Sequence, residues 1–220
     1  MDKNLWHVSI EGGALEDLRH ILPEDAYQWT KSPAKAPAAG VKVRIGFREG
    51  VPVSVNGRKM APPALLSLLN RLGARHGVGR TDCVENRLVG MKSRGVYETP
   101  GGTILHSALA ELAAVAMDRE TFRMRQQLSI KYAELVYYGQ WFTPLRKSLD
   151  AFMADAARRL TGEVILGLKR GTITVLARSS PFALYRASLA TFELGEAYDQ
   201  RHAEGFIRLF GLPYPKEKAR

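Results

Sequence analysis

Glu85, Lys92, Arg94, Tyr97 and Glu98 crowd into one short stretch of this 220-residue chain, together with glycines at 90, 95, 101 and 102. Such a mixture suits a charged small molecule, and a zwitterion best of all. An amino acid presents an ammonium, best met by a carboxylate such as Glu85, and a carboxylate, best met by hydroxyls, backbone amides or a guanidinium. Tyr97 offers one hydroxyl and Ser9, at the end of a predicted strand, offers another. The glycines let backbone approach a ligand closely. A solvated connection has the same composition. In that reading Lys92 and Arg94 are structural cations that pin the turn against acids such as Glu85 and Glu98, and Asp82 is structural too.

Other chemistries find less support. The five histidines, His7, His20, His76, His106 and His202, lack metal-ligand spacing, and no serine sits in a nucleophile-elbow context. Gly77-Val78-Gly79-Arg80 follows a predicted helix rather than opening one, so it reads as a helix-to-strand turn and not a phosphate loop. The single cysteine, Cys83, excludes an internal disulfide or a cysteine-based metal cluster and reads as a small hydrophobe in a strand. A net charge of +10 raises nucleic acid as a partner. The cations are dispersed, however, and no aromatic-interleaved motif accompanies them. A solvated basic surface, or an acidic protein partner, is the expectation. Apolar runs fall short of the ~18 residues that span a bilayer, and Met1-Asp2-Lys3-Asn4 carries no signal-peptide pattern. No membrane partner and a cytoplasmic location are expected.

The elements that must position these residues are legible in outline. Leu5–Ile10, Val41–Phe47 and Val51–Val55 alternate as strands and read together as a three-strand antiparallel meander with one polar face. Pro62-Pro63 opens a helix with Leu65, Leu66, Leu69 and Leu72 on one stripe, ending near Gly73. Residues 85–102 read as a loop. Helices are predicted from Thr103 to about Met117, from Arg119 to about Tyr138, and from Pro144 onward with Thr143 as N-cap. The last has Leu145, Leu149, Phe152, Ala156 and Leu160 as its core stripe. A hairpin follows, Glu163–Leu168 and Thr172–Leu176 joined by Lys169-Arg170-Gly171. A final helix from Gln200 to about Phe210 precedes Pro213, Pro215 and a charged tail from Lys216 to Arg220. Grouped strands and grouped helices, without regular alternation, indicate an α+β fold.

Met1-Asp2-Lys3-Asn4-Leu5-Trp6-His7-Val8-Ser9, then Glu11-Gly12-Gly13 and Leu15-Glu16-Asp17, resemble the start of the synthetase domain of the argininosuccinate synthase family. The likeness continues through His76-Gly77-Val78-Gly79-Arg80, residues 84–102, Lys131–Tyr137, Trp141-Phe142, Pro144-Leu145-Arg146, Ser180-Pro181, Leu184-Tyr185 and Ala203–Ile207. It covers essentially the whole chain.

This resemblance implies a ligase of arginine biosynthesis. ATP, accompanied by Mg, adenylates the ureido oxygen of citrulline with loss of pyrophosphate, and the amine of aspartate displaces AMP to give argininosuccinate. It implies citrulline contacts at Ser9, Glu85 and Tyr97, with no residue of this chain in a directly catalytic role. The family's Ser-Gly-Gly-x-Asp-x-Ser pyrophosphate loop is absent here, as are its aspartate-binding residues. A chain inactive alone is therefore expected, either part of a longer product or paired with a separate nucleotide-binding chain. Residues 1–210 are expected to form a synthetase and multimerisation domain, and 211–220 a short extended arm of a homotetramer. A non-catalytic assembly module derived from the family is the alternative. Ile10 departs from a usual tyrosine, Cys83 from an aliphatic residue and Leu109 from a histidine, and none of these departures disturbs the fold expected.

Overall fold

The computed structural model describes residues 1–190 and 198–214. In chain order its strands are β1 (Asp2–Lys3), β2 (Val8–Glu11), β3 (Val41–Arg48), β4 (Val51–Val55), β5 (Arg58–Lys59), β6 (Arg80–Asn86), β7 (Lys92–Glu98), β8 (Gly162–Lys169) and β9 (Thr172–Ser179). Its helices are α1 (Pro62–Arg75), α2 (Pro100–Ala116), α3 (Arg119–Tyr137), α4 (Pro144–Ala157), α5 (Ala187–Ala190) and α6 (His202–Gly211). The chain divides into two compact units, Met1–Leu184 and Tyr185–Arg220.

Two antiparallel sheets, ordered β1-β2-β7-β6 and β5-β4-β3-β8-β9, confirm the α+β class. They also correct the expected meander. β3, β4 and β5 do follow one another as hairpin-linked neighbours, but β2 leaves them and pairs with β7, with Ser9 opposite Tyr97. Alternation within a strand fixes which face is buried and says nothing of the partner. The long polar crossing between β2 and β3 leaves the chain free to change sheets.

A second correction concerns residues 85–102, which are not a loop. They form the end of β6, a tight turn, β7 and the first turn of α2. The turn closes through Gly90, whose φ of 87° lies where an L side chain is strained, and its amide donates to the Arg87 carbonyl.

The larger sheet carries the core. α1 places Leu65 and Leu69, and α2 places Ile104, Ala108 and Leu112, against Val43, Ile45, Val55, Val164, Leu166 and Leu168, all essentially buried. Each Val, Leu or Ile side chain among them contributes roughly 1.5–3 kcal/mol. α1 runs past Gly73 because that residue is where α2 crosses: a Cβ there would stand 2.7 Å from the Pro100 Cβ. α2 begins at Pro100, earlier than expected, because a cap arrives from outside the local sequence. Asn70 of α1 accepts from the Gly101 amide at 2.8 Å and donates to the Leu5 carbonyl at 2.9 Å.

α3 and α4 pack on each other, with Leu135 and Leu149 buried. Leu145 departs from the expected core stripe and is half exposed, while Leu160, beyond the end of α4, is buried. The predicted hairpin at 169–171 forms, with both Arg170 and Gly171 at positive φ. The second unit contains α5 and α6, and Phe206 and Phe210 of α6 stack at 5.4 Å. The expected tail at 216–220 lies outside the described residues.

Between β2 and β3 the long crossing is held by one buried carboxylate. Glu98, at the end of β7 and fully buried, accepts from the backbone amides of Gln28 (2.7 Å), Trp29 (3.0 Å) and Thr30 (2.7 Å), and from the Thr30 hydroxyl (2.7 Å). Arg80, opposite Glu98 in the β6–β7 register, completes the clasp. It donates to the Thr30 hydroxyl and carbonyl and to both oxygens of Glu24, and it lies 3.6 Å over the Tyr27 ring. A carboxylate so deeply buried is tolerable only because every neighbour donates to it. Glu98→Gln, which aims an NH2 group at these donors, is expected to cost roughly 2–3 kcal/mol in urea unfolding, the scale of stranded buried hydrogen-bonding groups. It should also open residues 24–35 to early proteolysis. A loss below about 0.5 kcal/mol would contradict the clasp.

Candidate functional site

Strand parity sorts the chemistry of the smaller sheet onto two faces. The pairs Ser9–Tyr97, Tyr97–Thr81, Gly95–Cys83 and Ser93–Glu85 place Ser9, Glu11, Thr81, Cys83, Glu85, Ser93, Gly95 and Tyr97 on one face. Arg80, Asp82, Lys92, Arg94 and Glu98 take the other. The three residues expected to bind an amino acid thus share a face, and the residues expected to be structural lie behind them.

On the front, the Tyr97 hydroxyl donates to Glu85 Oε1. Burial, reinforced by the Glu85 carboxylate, pushes the Tyr97 phenol well above its ordinary value, so it stays a donor at neutral pH. Burial and Glu85 likewise push the Cys83 thiol up, and its sulfur lies 3.9 Å from Glu85 Oε1. The face is therefore a carboxylate flanked by protonated hydroxyl and thiol. Ser9 is buried beside Tyr97, and the His7 ring meets the Tyr97 ring edge-on at 6.0 Å.

A cleft of about 450 Å³ opens over this pair, within the range of small-molecule sites. Glu85, Ser93, Gly95 and Tyr97 line its floor, Glu11 and Arg87 bring charge of either sign, and Tyr137 and Tyr138 close it from the end of α3. Glu11, Arg87, Ser93 and the two tyrosines escaped sequence reading. Parity alone identifies Ser93 and Glu11 once β7 is known to be a strand. The tyrosine doublet before Gly139, whose two rings meet edge-on at 5.7 Å, is an aromatic signal in the sequence.

On the back, the structural roles hold but the partners differ from those expected. Arg94 binds Asp82 through two hydrogen bonds (3.0 and 2.6 Å) and donates to the carbonyls of Asp17 and His20. Neither Glu85 nor Glu98 is its counter-ion, since one faces forward and the other is committed to Thr30. Lys92 donates to Asn86 at 2.8 Å. The glycines are also spent on the protein itself rather than on a ligand: a Cβ on Gly101 would meet Asn70 Oδ1 at 2.6 Å, and one on Gly102 would meet the Trp6 ring at 2.9 Å. Among the described residues no group of three or more His, Cys, Asp or Glu is placed to hold a metal ion, and no helix is long and apolar enough to cross a membrane.

Comparison with known proteins bears on what this face serves. A family model described as the arginosuccinate synthase C-terminal domain matches residues 1–216. The chain is 54% identical over 212 residues to the argininosuccinate synthase of Koribacter versatilis, covering 96% of this chain and 52% of that protein. It is 50% identical to the chloroplastic argininosuccinate synthase of Arabidopsis thaliana over 96% of this chain and 43% of that one. Against the Carboxydothermus hydrogenoformans argininosuccinate synthase it is 53% identical over 97% of this chain and 53% of the relative. The chain thus spans about half the length of the curated relatives it matches.

The back face has its own signature in pH. Hydrogen bonds from Arg94 hold the Asp82 carboxyl below its ordinary 3.8, and those from Arg80 hold Glu24 below 4.5. A depressed carboxyl contributes stability that is present above its unfolded value and is lost as pH falls through the folded one. Asp82→Asn is therefore expected to lower the urea midpoint at about pH 6, with a deficit that shrinks progressively as pH falls below the ordinary carboxyl range. A deficit unchanged by acid would show that Asp82 stabilises by packing alone.

Proposed function

The chain belongs to the argininosuccinate synthase family, and from that membership we propose that it supplies the citrulline wall of an ATP-dependent ligase joining citrulline to aspartate. The observation that carries this reading is the forward-facing Glu85–Tyr97 pair at the floor of a cleft of about 450 Å³, with Ser9 on the same face beside Tyr97 but buried and outside the cleft lining. Glu85 accepts hydrogen bonds from the ammonium of citrulline, the Ser9 hydroxyl is assigned as a donor, and the Tyr97 hydroxyl, whose one proton goes to Glu85, orients that carboxylate. Tyr97, fixed as a donor, holds one Glu85 oxygen and leaves the other for the substrate.

In this reading the chain's contribution is positioning. Holding citrulline still, with its ureido oxygen toward the nucleotide, is the part of the rate enhancement a binding wall can supply. ATP and its Mg ion are assigned to a nucleotide-binding portion that the described residues do not include, on the same polypeptide or another. Aspartate is assigned to that same portion.

Assembly into a homotetramer is part of the proposal. It is supported by α6, whose ten residues carry Phe206, Ile207, Leu209 and Phe210, apolar side chains that an interface with another copy would cover. The cytoplasm is the compartment we assign, in keeping with a single unpaired cysteine. A purely structural module built on the same assembly surface is the competing reading.

Kinetics separate the two. The purified chain given ATP, citrulline and aspartate is expected to form no argininosuccinate, and addition of a nucleotide-binding half should restore turnover. In the combined enzyme, Glu85→Gln should raise the KM for citrulline about tenfold or more, the scale of a hydrogen bond to a charged group. The KM for ATP should stay within about twofold. Equal losses for both substrates would remove Glu85 from the citrulline site, and no turnover with any nucleotide-binding half would favour the structural module.

A further inference from the structure

Tyr97 and Glu85 are not cross-strand neighbours, and their contact needs an explanation. In the β6–β7 register Tyr97 stands opposite Thr81 and Glu85 opposite Ser93, so the two are offset by four residues along the hairpin. That is about 13 Å at the rise of a β-strand, too far for side chains standing upright on the sheet. The pair meets only because both side chains lie down along the strands and lean toward each other. The residues between them are Gly95 on β7 and Cys83 on β6, which are themselves a cross-strand pair.

At Gly95 the geometry is unambiguous. A Cβ built there would stand 2.6 Å from the Tyr97 hydroxyl and 2.8 Å from two ring carbons, closer than real Cβ atoms come to anything. Gly95 has no positive φ, so its backbone would admit any residue. What excludes a side chain is the phenol ring lying over it. Cys83 supplies the other half of the bed with one small side chain, and Glu11 stands across from Gly95 on β2.

We propose that Gly95 is a positioning residue: its missing side chain is the bed on which the Tyr97 ring lies, and it thereby sets the Tyr97 hydroxyl on Glu85. The consequence for citrulline rests on the reading of Glu85 and Tyr97 given above. The placement of the ring does not. Gly95→Ala lifts the ring off the sheet, breaks its hydrogen bond to Glu85 and returns the phenol to solvent.

The test is carried out on the full chain labelled with 13C at the tyrosine ζ carbon. In the parent, the resonance that Tyr97→Phe removes should stay unshifted while exposed tyrosines ionise near pH ~10. In Gly95→Ala the same resonance is expected to titrate with the others, and if it stays unshifted the inference fails. Should Gly95→Ala not fold, the Gly95→Ala/Tyr97→Ala double variant decides. Recovery of folding shows that the ring occupies the space at 95, and failure of both shows that the glycine serves the backbone and overturns the proposal.

Citrulline kinetics in the chain combined with a nucleotide-binding half then read the two claims apart. Gly95→Ala should raise the citrulline KM about as much as Tyr97→Phe, with no further rise in the double variant, because both remove one hydrogen bond. A ring that is released by Gly95→Ala with no change in citrulline KM upholds the positioning and refutes the citrulline assignment.

Discussion

One buried carboxylate decides how the smaller sheet can be used. Glu98 has no exposed surface, and its four donors come from three consecutive residues, Gln28 to Thr30, far away in sequence. The crossing between β2 and β3 is thereby fastened to the back of β7, with Arg80 and Arg94 fastening it again at Glu24, Thr30, Asp17 and His20. Because a β-strand alternates, every side chain used as a clamp behind the sheet fixes the direction of its neighbours in front. Arg94 and Glu98 face backward, so Ser93, Gly95 and Tyr97 face forward. The chemistry of the front face is a consequence of the clasp on the back.

That double use explains what sequence reading found and what it missed. The hairpin at 169–171 and the starts of α3 and α4 were plain, because each rests on local signals: a Gly after a basic pair, Asp118 accepting from Glu120 and Thr121, Thr143 before Pro144. β7 was hidden. Its forward residues serve a cleft and its backward ones serve ion pairs and hydrogen bonds, so the apolar alternation that marks a strand is missing. The start of α2 was misplaced because its cap, Asn70, arrives from α1. Ser9, Glu85 and Tyr97 were nameable as candidates from type and family resemblance, yet the device proposed to bring Tyr97 onto Glu85, an empty position at Gly95, is visible only once the strands are in register. The glycines expected to admit a ligand mostly admit the protein's own side chains.

The family relationship and the geometry are complementary. The chain spans about half the length of the curated relatives it matches, and the proposed reading makes the face described here one wall of a site. It carries a carboxylate held by a protonated phenol, a small thiol and a buried serine, with no group of metal ligands among the described residues. In the proposed reading such a surface selects and orients citrulline. The Glu98 clasp fixes which side chains face forward, and the absence of one methyl group at position 95 leaves room for the Tyr97 ring.

The most direct test of this account is a crystal structure of the chain combined with a nucleotide-binding half and citrulline. The account predicts the citrulline ammonium within hydrogen-bonding distance of Glu85, with the Tyr97 hydroxyl still on the same carboxylate and its ring flat over Gly95. Citrulline bound elsewhere, or a Tyr97 ring turned away from Gly95 in the occupied site, would contradict it.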